Sequence, residues 1–164
     1  MIKKIIYIIS FCLISQIIHA AGGDSSGSDS DSYLDTYKSG KNLVYRAKKL
    51  EKKGKTEKAM KLYNSAYKKF LEAHKVENRN PDVLNYLGFT LRKTGNYEQA
   101  EKFYLQGLAI KPDHKGINEY LGELYIKTNR LDKAKERLEV LKNCNCDEFK
   151  DLELIIKNRG TKVY

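Results

Sequence analysis

The sequence predicts an all-α fold, a solenoid of stacked helix pairs. Three observations support this class. The 164 residues include only two Pro and no Trp, and they are 41% hydrophobic and 32% charged, a composition rich in Lys, Glu, Leu and Ala that favours helices. Apolar residues recur at helical spacing along most of the chain. A pattern with a period of 34 residues runs through the centre, for example from Gly88 to Gly122.

The first segment predicts export. Lys3 and Lys4 precede about 14 mostly apolar residues, which is fewer than the roughly 20 needed to span a bilayer, and small residues follow at 20–22. This is the three-part pattern of a secretory signal peptide. We predict a signal peptide over 1–21, cleaved near 20–22, a periplasmic location and no integral membrane segment after cleavage. The alternatives are a secreted chain or one held by an uncleaved N-terminal anchor.

Residues 22–38 predict a flexible linker, because 21–32 contain only Ala, Gly, Asp and Ser and cannot bury apolar surface. Beyond the linker we expect a repeat domain over 39–158, with repeats over about 40–80, 81–114 and 115–147, a capping helix over 148–158 and a tail over 159–164. Each repeat has two apolar stripes of helical spacing around a turn such as Thr94-Gly95-Asn96.

The repeats align on small residues. The first repeat is displaced from the second by 41 residues instead of 34, with Gly54 matching Gly95 and Ala59 matching Ala100. The seven extra residues fall in 72–80, which predicts an extended second helix. Gly inside a helix costs roughly 0.5–1 kcal/mol relative to Ala, so two such Gly in the same repeat position indicate close packing.

The last segment predicts a helix that closes the array, because stacked repeats need a terminal element with a more polar outer face. Asp147 is the expected N-cap. Phe149, Leu152, Ile155 and Ile156 recur at helical spacing and form the expected buried stripe.

The stretch NYLGFTLRKTGNYEQAEKFYLQGLAIKP resembles the tetratricopeptide repeat, whose frame of 34 residues has small residues at positions 8, 20 and 27. Gly88, Ala100 and Gly107 hold these positions in the second repeat. Arg46 at position 7 and Asn118 at position 4 depart from the family's apolar pattern. The resemblance covers about 110 residues, and it implies a right-handed superhelix with a concave groove that binds proteins or peptides.

The resemblance also implies which residues line that groove, namely positions 2, 5, 6, 9, 12 and 13 of each first helix. Position 6 is Tyr in all three repeats, so these rings either form an exposed ladder or pack buried between repeats. Phe89 is an expected apolar anchor. The family's clamp for a C-terminal carboxylate is absent. The implied groove residues are Lys41, Val44, Tyr45, Lys48, Glu51, Lys52, Asp82, Asn85, Tyr86, Phe89, Arg92, Lys93, Gly116, Glu119, Tyr120, Glu123, Ile126 and Lys127.

The sequence predicts no enzyme, no cofactor and no metal site. His74 and His114 are 40 residues apart, and the chain has no phosphate loop or dinucleotide fingerprint. Cys144 and Cys146 allow three interpretations: a structural disulfide, which export to an oxidising compartment favours, two free thiols, or a redox-active or metal site. Three further Tyr at helical spacing, Tyr63, Tyr104 and Tyr125, are expected in the core.

The predicted function is a non-catalytic adaptor or scaffold of the bacterial envelope that binds a protein or peptide, not nucleic acid. The alternative rests on charge, since residues 40–80 hold 13 Lys or Arg against 4 Asp or Glu in a chain of net charge +10. This basic first repeat, with Lys48, Lys49, Lys52 and Lys53, is suited to an anionic envelope polymer or lipid. A lysine-rich surface that only keeps the protein soluble would explain the same excess of positive charge. A thiol-redox accessory through the two Cys is the third hypothesis.

Overall fold

The computed structural model describes residues 26–158, with side chains from residue 32, as seven α-helices. Within these residues there is no β-strand, which confirms the all-α prediction, and no helix combines the length and apolarity that a membrane crossing requires. The predicted signal peptide and tail lie outside the described residues. The helices are α1 (Ser26–Lys52), α2 (Thr56–Val76), α3 (Pro81–Lys93), α4 (Tyr97–Ile110), α5 (Lys115–Lys127), α6 (Leu131–Leu141) and α7 (Asp147–Lys157).

The helices pack as three hairpins and a cap. The hairpins are α1–α2, α3–α4 and α5–α6, and α7 packs against α5 and α6. Each hairpin turns through a residue of left-handed conformation, at Gly54 (φ 68°), Gly95 (φ 89°) and Asn129 (φ 59°). Gly adopts this conformation without steric cost and Asn tolerates it, which explains why these residue types follow the first helices. Adjacent hairpins contact through α2–α3 and α4–α5, so the chain forms a solenoid.

Small residues of the repeat frame lie where helices approach most closely. A Cβ atom placed on Gly88 would lie 2.5 Å from the ring of Tyr104, which is fully buried on the partner helix. A Cβ atom on Gly107 would overlap the next hairpin, and one on Gly122 would lie 2.6 Å from Leu152 of α7. The close packing that the recurring Gly indicated is therefore present in the structure.

We expect Gly88→Ala to lower the free energy of unfolding by about 1–3 kcal/mol, because the added methyl overpacks the contact with Tyr104. This cost exceeds the gain of about 1 kcal/mol in helix propensity that Ala brings. Urea denaturation followed by circular dichroism measures the difference. Asn64→Ala, at an exposed position of α2, is the control and should lose no stability. Equal effects of the two changes would contradict the packing explanation.

The first helix begins earlier than predicted. The linker prediction is wrong for residues 26–38, which belong to α1. The reason is the length of α2, which lets α1 continue along it. Tyr33 is only 7% exposed, and its hydroxyl accepts a hydrogen bond from Asn80 Nδ2 at 2.9 Å. Tyr37 packs edge-on against Phe70 of α2, with ring centroids 5.9 Å apart. These contacts stabilise a helix that its Ser- and Asp-rich start disfavours.

The capping helix forms as predicted, with one difference at its start. Asp147 is the first residue of α7 and Cys146 occupies the N-cap position without a side-chain cap bond, so the prediction that Asp147 is the N-cap is wrong. Asp147 and Glu148 instead lie in the first turn, where negative charge interacts favourably with the helix dipole. Leu152 and Ile155 are buried, and the other two residues of the stripe are partly buried.

The turn before α7 contains a disulfide between Cys144 and Cys146, whose Cα atoms are 5.2 Å apart. Of the three interpretations that the sequence allows, the structure adopts this one. The bridge ties the end of α6 to the start of the cap.

The polar residue at position 4 of the third repeat is fully satisfied inside the core. Asn118 is fully buried, and its Nδ2 donates to the carbonyl oxygens of Pro112 and His114, each at 3.0 Å. Arg137 donates to its Oδ1 at 3.4 Å. The departure from the apolar pattern therefore fixes the start of α5 and leaves no buried polar atom of Asn118 without a partner.

Candidate partner-binding groove

The first helices of the three hairpins and α7 bound a groove, which we call the concave groove. It comprises a first cavity of about 310 Å³ and a second cavity of about 440 Å³. Lys48, Phe89, Glu119, Tyr120 and Glu148 line both cavities, so the two form one continuous surface. All lining residues belong to α1, α3, α5 and α7 or to the N-cap of α5.

Most residues that the resemblance implied for the groove line it. Two do not: Ile126 is partly buried against the core, and Lys127 lies outside both cavities. The implied residues that line the cavities are Lys41, Val44, Tyr45, Lys48, Glu51, Lys52, Asp82, Asn85, Tyr86, Phe89, Arg92, Lys93, Gly116, Glu119, Tyr120 and Glu123.

Four lining residues were missed by sequence reasoning: His114, Asp147, Glu148 and Asp151. The three acids belong to the first half of α7, which has no position in the repeat frame. For Asp147 and Glu148 the signal was the acidic first turn of a helix predicted to cover the last repeat. His114 stands directly before α5, but it is not a residue type that usually caps helices.

The three tyrosines at position 6 form neither a continuous ladder nor a wholly buried set. Tyr45 is 58% exposed. Tyr86 is partly buried and stacks on Phe70 with ring centroids 4.7 Å apart, and Tyr120 is partly buried and tilts against Phe89 at 4.9 Å. Phe89, the expected apolar anchor, is only 3% exposed and lies at the floor of the groove.

Two cations cover this aromatic floor. Lys48 Nζ lies 4.8 Å from the ring centroid of Phe89, and the guanidinium carbon of Arg92 lies 5.4 Å from that of Tyr120. Both distances allow cation–π attraction. Arg92 also forms an ion pair with Glu123 at 2.7 Å, in which the two side chains are 11% and 6% exposed. This nearly buried pair joins α3 to α5 beneath the first cavity.

A second ion pair joins α1 to α3. Lys93 Nζ lies 2.6 Å from Glu51 Oε1, and the hydroxyl of Tyr63 donates to Glu51 Oε2 at 2.9 Å. Tyr63, Tyr104 and Tyr125 are all buried, which confirms that they belong to the core. The walls of the groove are thus fixed to one another by charged contacts.

His114 joins α5 to α3 at the edge of the second cavity. Its Nδ1 accepts a hydrogen bond from the backbone N–H of Ile117 at 3.2 Å, which caps α5. Since Nδ1 is an acceptor, Nε2 carries the ring proton and donates to Asp82 Oδ1 at 3.1 Å. Both ring nitrogens of His114 therefore form hydrogen bonds within the fold at the edge of the second cavity.

Glu119 is the most unusual titratable group of the groove. It is 7% exposed. The pKa of its carboxyl is raised from 4.5 to about 8, mainly by burial and then by the nearby carboxylates of Glu123, Asp151 and Glu148, while Lys48 opposes the rise. The acidic wall of α5 and α7 is therefore crowded enough to keep one proton at neutral pH.

This pKa predicts a pH-dependent contribution to stability. A carboxyl whose pKa is raised by folding stabilises the fold fully below its unfolded pKa, and this contribution is lost as the pH rises through the folded pKa of about 8. Glu119→Gln should therefore become more stable relative to the unchanged protein as the pH rises from about 4.5, the ordinary pKa, to about 8, the pKa in the fold. Denaturant unfolding across the range measures the gain. Glu98→Gln, on the exposed face of α4, should run parallel to the unchanged protein, and parallel curves for Glu119→Gln would contradict the prediction.

Comparison with known proteins identifies the repeat. The tetratricopeptide repeat family matches residues 91–152. Among curated proteins, the human Protein O-mannosyl-transferase TMTC3 is 32% identical over 81 residues, which are 49% of this chain and 9% of that protein. The mouse protein of the same name is 33% identical over 72 residues, 44% of this chain and 8% of that protein. The chain thus spans less than a tenth of the length of these relatives.

Two solved structures share the fold. The Yersinia enterocolitica type III secretion chaperone SycD, in complex with a peptide of the translocator YopD, superposes with a TM-score of 0.52 at 20% identity and covers 73% of this chain and 88% of that one. Pseudomonas aeruginosa pilF superposes with a TM-score of 0.50 at 21% identity and covers 80% of this chain and 71% of that one. At these identities the likeness concerns the fold.

Proposed function

We propose that this chain, which is a tetratricopeptide repeat protein, binds an extended segment of a partner protein in the concave groove. We also propose that it catalyses no reaction. The observation that carries the proposal is the continuity of the groove across all three repeats and the cap. A long groove with an aromatic floor and charged walls suits a peptide that presents alternating side chains. Tyr and Arg, the types that most often anchor interfaces, are both present there.

The complex of a structural neighbour supports a peptide as the ligand. The SycD structure contains a peptide of the translocator YopD, so this fold has room for a peptide ligand. By analogy, we propose a partner that is itself a protein of the bacterial envelope or passes through it. The predicted signal peptide over 1–21 is the basis for placing the chain in the periplasm.

Co-purification of the tagged chain from its native cells, with low-salt and high-salt washes, tests the proposal. Tyr45→Ala is the groove variant, because this ring is 58% exposed and its removal leaves the core intact. Leu105→Ala, at a 48% exposed position of α4 outside the groove, is the matched control. We expect a discrete protein that survives high salt, is retained by the control and is lost with Tyr45→Ala. Equal recovery with both variants would contradict a groove interface.

The same experiment tests the alternative of an anionic polymer or lipid ligand. Lys48 and Lys52 of the basic first repeat line the groove, so this repeat supplies one of its walls. An electrostatic ligand would leave in high salt, because exposed charges are screened within about 8–10 Å. It would be lost with Lys49→Glu and Lys53→Glu and retained by Tyr45→Ala. The redox hypothesis predicts instead that replacing both Cys by Ser abolishes activity without reducing helicity.

A further inference from the structure

One carboxylate of the groove is buried without a partner. Glu119 is 7% exposed and lines both cavities. Among the described residues its side chain makes no hydrogen bond or ion pair, whereas Glu123, one turn further along α5, is paired with Arg92. A nearly buried carboxylate is costly to leave without a compensating contact. The site is thus built with one acceptor available to a ligand.

A second acceptor faces the same space. Asn85 is 8% exposed and lines the second cavity together with Glu119. Its Oδ1 is buried and has no hydrogen-bond partner. Buried side-chain oxygens are usually satisfied, so an orphaned one at a cavity wall indicates a group supplied from outside the fold.

Three of the groove's cations, Arg92, Lys93 and Lys48, have other contacts. Arg92 pairs with Glu123 and Lys93 pairs with Glu51. Lys48 is close enough to Glu119 to attract it, but its ammonium lies over the rings of Phe89 and Tyr120. The first half of α7 adds three more acids to the wall of the first cavity. The potential around Glu119 is therefore negative, and the complementary ligand is a cation.

We infer that the groove takes a peptide segment with a Lys or Arg side chain, whose cation pairs with Glu119 while Asn85 Oδ1 accepts a hydrogen bond from a neighbouring peptide N–H. This inference rests on the proposed function and specifies its ligand. A charge-assisted contact in a nearly buried site is strong and selective, since an uncharged side chain would leave Glu119 without a partner.

Ionisation of Glu119 couples this recognition to pH. The raised pKa of about 8 belongs to the empty groove, and a cation beside the carboxyl lowers it, so binding releases a proton. Affinity for a basic peptide should therefore rise as the pH rises toward and through this value. The charged groups that face Glu119 are Lys48 on α1, Arg92 on α3, Glu123 on α5, and Glu148 and Asp151 on α7.

Selection from a display library of short random peptides on the full chain tests the inference. We compare the unchanged chain, Glu119→Gln and the exposed control Glu98→Gln, each first shown to be folded by circular dichroism. The unchanged chain and the control should enrich peptides with a fixed Lys or Arg, and Glu119→Gln should lose that preference. Replacing the Lys of a selected peptide by norleucine should weaken binding to the unchanged chain at least about tenfold and leave binding to Glu119→Gln unaltered.

The outcomes separate this inference from the proposed function. The inference is overturned if the selected peptides show no enrichment of Lys or Arg, or if Glu119→Gln enriches Lys or Arg as the unchanged chain does. Either result leaves the proposal of groove binding intact. A failure to enrich any peptide overturns both. Asn85→Leu provides a second measurement. It should weaken the binding of every selected peptide, and it should not lower the stability of the fold because it removes an unsatisfied buried group. Unchanged peptide affinity in this variant would overturn the role of Asn85.

Discussion

Replacement of Arg92 by Met is expected to lower the free energy of unfolding by about 3–5 kcal/mol, because it leaves a buried carboxylate without its partner. The two side chains are 11% and 6% exposed and 2.7 Å apart, and Glu123 has no other ion pair among the described residues. The ion pair joins α3 to α5, so its loss separates two walls of the concave groove. Chemical denaturation at neutral pH measures the change.

A control and a rescue make this prediction specific. Lys102→Met breaks an exposed pair with Glu98, in which the side chains are 57% and 84% exposed, and should change the stability little, because solvent screens such a pair. Glu123→Gln added to Arg92→Met should restore most of the lost stability, because the stranded charge is gone. A loss for Arg92→Met no larger than that for Lys102→Met would show that the buried pair does not stabilise the fold.

Replacement of Leu152 by Ala is expected to cost about 2–5 kcal/mol, since it opens a cavity where α7 packs on the last repeat. Leu152 is fully buried, and its side chain fills the space that Gly122 leaves on α5. The size of the effect reports whether α7 is an integral cap or a loosely attached helix. Urea unfolding of the full chain is the measurement.

The same helix offers a matched control. Leu154 is 43% exposed, and Leu154→Ala should change stability by no more than about 0.5 kcal/mol. Because α7 also brings Asp147, Glu148 and Asp151 to the first cavity, Leu152→Ala should weaken ligand binding as well as stability. Equal losses for the two Leu variants would mean that α7 does not close the array through this face.

Much of the fold could be predicted because its signals are local and repeated. Gly88 and Gly122 share a packing role and a sequence position, and Gly54 and Gly95 mark hairpin turns that only a few residue types tolerate. The period of 34 then placed most groove residues, since equivalent positions of a repeat face the same side. The extended α2 followed from counting the residues between two turns.

The remainder depends on contacts between distant segments. The Ser- and Asp-rich start of α1 has little helix propensity, and it is helical because Tyr37 packs on Phe70 of α2 and Tyr33 bonds to Asn80 at the start of α3. The repeat position placed Phe89 in the groove but could not show that the side chains of Lys48 and Tyr120 cover it. The acids of α7 lie outside the repeat frame, so no alignment of repeats could assign them to the groove.

Site-specific photo-crosslinking inside cells tests groove binding most directly. A photoreactive phenylalanine analogue replaces Tyr45 in the groove, and in a second strain it replaces Leu105 on the outer face; both positions are exposed. If a partner segment occupies the concave groove, position 45 gives a discrete crosslinked protein that is absent from position 105, and the crosslink maps to one segment of that protein. No product from position 45, or the same products from both positions, would contradict the groove as the binding surface.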